Sequence, residues 1–133
     1  MSRREERRAA AFLLYQRDLL DSPFPELYDA YERDTGAPVS EFSRGQAEGA
    51  WDRRDDLDRL IDGAASGWSA DRMAVLERNV LRLAVYELRT GEVPPAVAID
   101  EAVSLAKRYA SPEAASLVNG ILGNIARTEG VGT

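Results

Sequence analysis

Cysteine and histidine are both absent from the 133 residues. Without cysteine there is no disulfide and no thiol nucleophile. Without histidine there is no imidazole base, and the usual zinc ligand sets go with the two residues together. Lysine occurs once, as Lys107. Long hydrophobic runs are missing too, so no segment reads as a membrane span. The charged first residues lead into no signal-peptide pattern, and the expected location is the cytoplasm. Carboxylates are plentiful but fall mostly at solvent-facing helical positions, where they do not converge on a reacting atom. The expectation is a protein that is not an enzyme and holds no cofactor or metal.

Strand-type alternation, glycine-rich loops after strands, repeats and low-complexity stretches are also wanting. At 44% hydrophobic and 30% charged residues, the composition is that of a folded domain, not a disordered chain. The length suits one domain. Net charge is −6. An acidic total makes a poor general binder of nucleic acid, so any such contact must come from a local basic patch. Nearly all the cations are arginine, which offers a planar fork for phosphate and a face for stacking.

Every segment reads as helix or helix connection. A first helix is expected from Ser2 or Arg3 to Leu20, with Ser2 as N-cap and a core face of Ala9, Phe12, Leu13, Leu19 and Leu20. Asp21-Ser22-Pro23 ends it. A second helix runs from about Pro25 to Asp34 and closes on Gly36. A third, long helix is expected from Ser43 to Ser66, opened by a Ser43–Gln46 capping box. It carries Ala47, Ala50, Trp51, Leu57 and Ile61 at helical spacing. After a turn holding Trp68, expected to pack between the two halves, a helix from Met73 to Thr90 is apolar on nearly all sides and hence central. Pro95 opens the next, and Lys107-Arg108 near its end complements the helix dipole. Ser111-Pro112-Glu113 starts the last, with Leu117, Val118, Ile121, Leu122 and Ile125 buried and Asn119 making an interhelical hydrogen bond. Gly120 and Gly123 each cost roughly 1 kcal/mol in a helix, a cost easier to carry where another backbone comes close. The fold class is all-α: six to seven helices in two packed sub-bundles, about 1–66 and 68–128.

The first helix opens Arg3-Arg4-Glu5-Glu6-Arg7-Arg8. At 100° per residue, Arg4, Arg8, Ala11 and Tyr15 run up one face. Arg3 and Arg7 are i,i+4 neighbours, as are Arg4 and Arg8, and all are expected to lie off the core. A basic stripe ending in an aromatic suits single-stranded RNA, with guanidinium groups on phosphates and a ring for base stacking. The structural alternative is a solvated charged face with Arg3–Glu6 and Glu5–Arg8 paired at i,i+3. Lys107-Arg108-Tyr109 repeats the combination at another helix end, where dipole compensation is the plainer explanation. Glu77 and Arg78, on the polar start of the central helix, form a plausible docking surface. Arg82 and Glu87 sit inside that apolar helix and need partners on another element.

Taken in order, these motifs resemble the NusB family of RNA-binding transcription antitermination factors. The resemblance rests on Arg3, Arg4 and Arg7 with Leu14-Tyr15, then Trp68 with Asp71-Arg72. It continues through Leu81-Arg82…Tyr86-Glu87-Leu88, Val93-Pro94…Val97-Ala98-Ile99-Asp100-Glu101-Ala102 with Ala106-Lys107, and Val118-Asn119-Gly120-Ile121-Leu122. Departures from the family pattern are Glu5 and Glu6 within the arginines, Asp100, Leu117 and Gly123. The resemblance implies binding to boxA-type single-stranded RNA of rRNA leaders together with NusE, a small-subunit ribosomal protein, in an RNA polymerase antitermination complex. By position it puts Arg3, Arg4, Arg7 and Tyr15 on RNA, Tyr109 and Glu113 along the same path, and Glu77 toward NusE. A helical protein-docking module, or a homodimer that buries the basic helix, is the competing reading.

Overall fold

The computed structural model describes residues 2–65, 67 and 72–129. Among them are seven helices and no strand: α1 (Arg3–Leu20), α2 (Phe24–Thr35), α3 (Glu41–Asp52), α4 (Arg54–Ala64), α5 (Val75–Thr90), α6 (Pro95–Tyr109) and α7 (Pro112–Thr128). The expectations for Trp68 and Asp71 fall outside the described residues.

The ends follow local chemistry. The Ser2 hydroxyl accepts from the Glu5 N–H at 3.1 Å, and the Ser111 hydroxyl from the Ala114 N–H at 3.0 Å. Gly36 and Gly91 close α2 and α5 at φ 73° and 69°, a region that glycine enters without strain.

Ser40, not Ser43, caps α3; its hydroxyl accepts from the Ser43 N–H at 3.1 Å. The long third helix is in fact two. The break is at Arg53, with φ −106° and ψ 14°, inside the run Asp52-Arg53-Arg54-Asp55-Asp56. There the Arg54 guanidinium donates to the Trp51 carbonyl at 2.8 Å, giving a partner to a carbonyl beside the break. Trp51 packs on the core with the guanidinium groups of Arg54 and Arg17 at 4.0 and 4.6 Å from its ring.

α5 is the axis. Asn79 through Val85, Glu87 and Leu88 are all buried, as its apolar surround predicts. It packs against α1, α3, α4, α6 and α7. One core runs through Ala10 and Leu14 of α1, Leu57 and Ile61 of α4, Leu81 and Val85 of α5, and Val118 and Leu122 of α7. Ala98, Ala102 and Ala106, one turn apart, form the small-residue side of α6 within that core. A second cluster joins Leu13 to Leu27, Tyr28, Val39 and Ala47.

Three packing expectations are corrected. Phe12, Leu19 and Leu20 are 47%, 52% and 55% exposed. α1 is wedged between α3 and α5, so its buried side is centred on Arg7, Ala10, Ala11 and Leu14, with Leu13 toward α2. Asn119 is exposed; it is Asn124 that bonds across helices, to the Ala64 carbonyl at 3.3 Å. The close approach expected at Gly120 and Gly123 lies at Gly49, where a Cβ would run into the Tyr86 ring. Gly120 faces open space, and Gly123 meets only the Arg127 side chain.

Candidate nucleic-acid interface

The arginines of the first turns of α1 separate into distinct environments. Arg3 is exposed, pairs with Glu6 at 3.1 Å, and lies over the Phe42 ring at 3.8 Å. Glu6 titrates below the usual carboxylate range, held there by the Ser40 hydroxyl and by Arg3 against some desolvation. Arg4 is exposed and reaches α6, where its Nε donates to both carboxylate oxygens of Glu101 at 3.2 and 3.4 Å. Arg8 is half-buried, and its Nε has no hydrogen-bond partner among the described residues.

Arg7 differs from all of these. It was expected off the core, but it is buried, and its guanidinium grips Glu87 of α5 at 2.7 and 2.8 Å. Hydrogen bonding to Glu87 raises the Arg7 pKa further despite desolvation. The reason is geometric: position 7 is one turn before Ala10 and Ala11 on the side that meets α5. Arg7 therefore joins helices and does not present its charge outside.

A second polar cluster fixes α1 and α4 to α5. Asp18 accepts from Arg78 at 2.6 Å, Asn79 at 3.0 Å and Arg82 at 3.1 Å. Arg82 also binds Asp58 of α4 at 2.6 and 2.8 Å. Burial pushes the Asp18 carboxyl up, but the bonds from Asn79 and Arg78 and the charges of Arg78 and Arg82 outweigh it and hold it low. Arg78 is thus committed to Asp18, and Glu77 stands half-buried beside it in the first turn of α5. The partners expected for Arg82 and Glu87 on other helices are present.

α1, α2, α5 and α6 enclose a cleft of about 460 Å³. It is lined by Arg8, Phe12 and Tyr15 of α1, Tyr31 of α2, Leu76 of α5, and Leu105 and Tyr109 of α6, among others. The two basic-aromatic motifs, a hundred residues apart in sequence, therefore meet: Arg8, Tyr15 and Tyr109 share one cleft, and Arg4 bridges to α6. Lys107 and Arg108 are exposed next to it, with Arg108 over the Tyr109 ring at 5.4 Å. Glu113 is exposed in the first turn of α7. Arg7 and Arg78 do not join this surface. Sequence reasoning missed Asp18, Asp58, Phe42 and Glu101. An arginine within an apolar helix signalled that partners such as Asp58 must exist, but nothing signalled which they were.

Among the described residues, no helix is long and apolar enough to cross a membrane. The NusB family model matches residues 4–127. A transcription antitermination protein NusB of Symbiobacterium thermophilum is 41% identical, with 96% of this chain and 90% of that one covered. Its counterpart in Rubrobacter xylanophilus is also 41% identical, covering 92% and 88%. Among solved structures, T. maritima NusB superposes with a TM-score of 0.83 at 33% identity, covering 96% of this chain and 92% of the other. A crystal structure of the antitermination factors NusB and NusE in complex with dsRNA gives 0.84 at 28% identity, covering 96% and 99%. With residues 4–127 matched and relatives of this identity along nearly its whole length, the chain belongs to the NusB family.

Proposed function

We propose that this chain is an RNA-binding antitermination factor. It binds boxA-type single-stranded RNA of rRNA leaders together with the ribosomal protein NusE, and joins RNA polymerase in promoting rRNA transcription. The observation that carries the reading is the convergence of the α1 basic turn and the α6 end on one face. There Arg4, Arg8, Lys107 and Arg108 supply cations for phosphates, with Arg3 adjoining on the α3 side over Phe42, and Tyr15 and Tyr109 supply rings for unstacked bases. Glu113 borders that path. The NusB and NusE complex with RNA among the solved structures supports both partners. Residues 1–133 serve as one RNA-binding domain, with sub-bundles of about 1–66 and 68–128. The central α5, packed against helices of both parts, supports this reading.

The protein partner has a surface that adjoins this face and shares Phe12 with the cleft. Phe12 and Leu19 are seven residues apart on α1, hence on one side, and both are about half exposed. Large apolar side chains left outside in this way suit a docking protein. NusE is assigned to that side, with Glu77 at its edge. A second copy of this chain is the competing occupant, and light scattering on the isolated protein tests for it.

Fluorescence anisotropy of a labelled boxA-type RNA, with and without NusE and at two salt concentrations, tests the RNA reading. Arg3→Gln with Arg4→Gln should lower affinity at low salt and reduce the salt slope by about 1.4, since each single-strand phosphate contact contributes about 0.7. Unchanged affinity at low salt would remove the α1 turn from the site.

A further inference from the structure

The arginines of the α1 turn meet acids from α5 and α6, and these are arranged in two ways. Glu87 holds Arg7 where both side chains are almost wholly buried, at 8% and 4% exposure. That pair cannot open without stranding charge in the core. Glu101 holds Arg4 differently. The Arg4 side chain is 64% exposed, whereas that of Glu101 is 18% exposed. Glu101 is anchored on α6, lining the seam between α1, α5 and α6 with Arg7 and Glu87. Both carboxylate oxygens of Glu101 face the Arg4 Nε, much as two oxygens of a phosphate would.

We propose that Glu101 is a built-in competitor for RNA phosphate at Arg4, an autoinhibitory contact that RNA must displace. The inference rests on the RNA reading above. Exchange is inexpensive for two reasons. An exposed ion pair contributes little to stability, and a released Glu101 still lies in the field of Arg7, whose pKa it helps to raise. Arg4 is therefore free to swing outward while Glu101 stays at the seam. The contact sets a threshold: RNA engages Arg4 only when other contacts have already brought a phosphate within reach.

A double-mutant cycle tests the idea. The same labelled boxA-type RNA is titrated with the parent, Glu101→Gln, Arg4→Gln and the double variant at low salt, each checked by a thermal melt. Glu101→Gln should tighten binding about two- to fivefold, the worth of an exposed pair, with an unchanged melt. In the Arg4→Gln background the same change should give almost no gain. A gain from Glu101→Gln that is equal in both backgrounds would mean a general charge effect and overturn the proposal. So would unchanged or weaker binding while the parent binds, which leaves the RNA reading standing. If neither the parent nor Glu101→Gln binds RNA, with or without NusE, the RNA reading fails and this contact with it.

Discussion

Removing the Glu87 carboxylate should unfold this protein far more readily than any loss of surface charge. Arg7 and Glu87 form a buried pair bonded at 2.7 and 2.8 Å. Glu87→Ala deletes the acceptor and leaves a guanidinium enclosed by α1 and α5. Breaking a buried pair on one side costs about 3–5 kcal/mol. A domain of this size is stable by about 5–15 kcal/mol in all. The unfolding entropy near the midpoint, about 2.1 cal/mol/K per residue, turns that cost into a fall of about 10–18 °C in melting temperature. Arg7→Met combined with Glu87→Leu removes both charges and fills the space with apolar atoms. It should recover most of the loss, because the desolvation penalty disappears with the pair.

Urea titrations of the parent, Glu87→Ala and the double variant measure this, and RNA anisotropy on the same samples completes it. The double variant should bind RNA within about twofold of the parent, since an arginine enclosed between helices has no free fork for phosphate. A loss below about 1 kcal/mol in Glu87→Ala would show that the pair opens readily to water, as exposed pairs do. A tenfold fall in RNA affinity in the folded double variant would return Arg7 to the RNA surface. Either result refutes the argument.

Three further substitutions test packing and titration. Gly49→Ala should destabilise by about 1–3 kcal/mol, as overpacking does, because its Cβ meets the Tyr86 ring. Gly120→Ala, with open space around it, should stabilise by about 0.5–1 kcal/mol; thermal melts that reverse this order would show that the α3–α5 approach is misread. The Asp18 carboxyl is held below its ordinary value, so its contribution is present above about pH 4, the unfolded value, and is lost as pH falls through the lower folded value. Asp18→Asn should cost about 1–3 kcal/mol near neutrality, and the gap to the parent should close in acid. Urea midpoints from neutrality down to pH 3 that keep a constant gap would contradict it.

What could be read from the sequence was what chain-local chemistry determines. Ser2, Ser111, Pro95, Gly36 and Gly91 mark helix ends by capping and backbone preference, and the ends fall where those residues place them. The continuous apolar surface of α5 announced a central helix for the same reason. The α1 face was harder, because its orientation depends on two neighbours at once. Its apolar residues go nearly all the way round, and periodicity alone could not choose between Phe12 and Ala10 for the inside. The choice of Ala10 brings α1 close to α5, and that closeness carries Arg7 into the core and makes Glu87 its partner. The same docking leaves Phe12 and Leu19 outside and sets Arg4 against Glu101. The division of the arginines into buried Arg7, half-buried Arg8 and exposed Arg3 and Arg4 is therefore a property of the α1–α5–α6 packing. It is set by small residues, Ala10 and Ala11 on α1 and Ala98 and Ala102 on α6, whose own sequence signal is weak. The charged motif states which chemistry is available; the alanines beside it decide which arginines can use it.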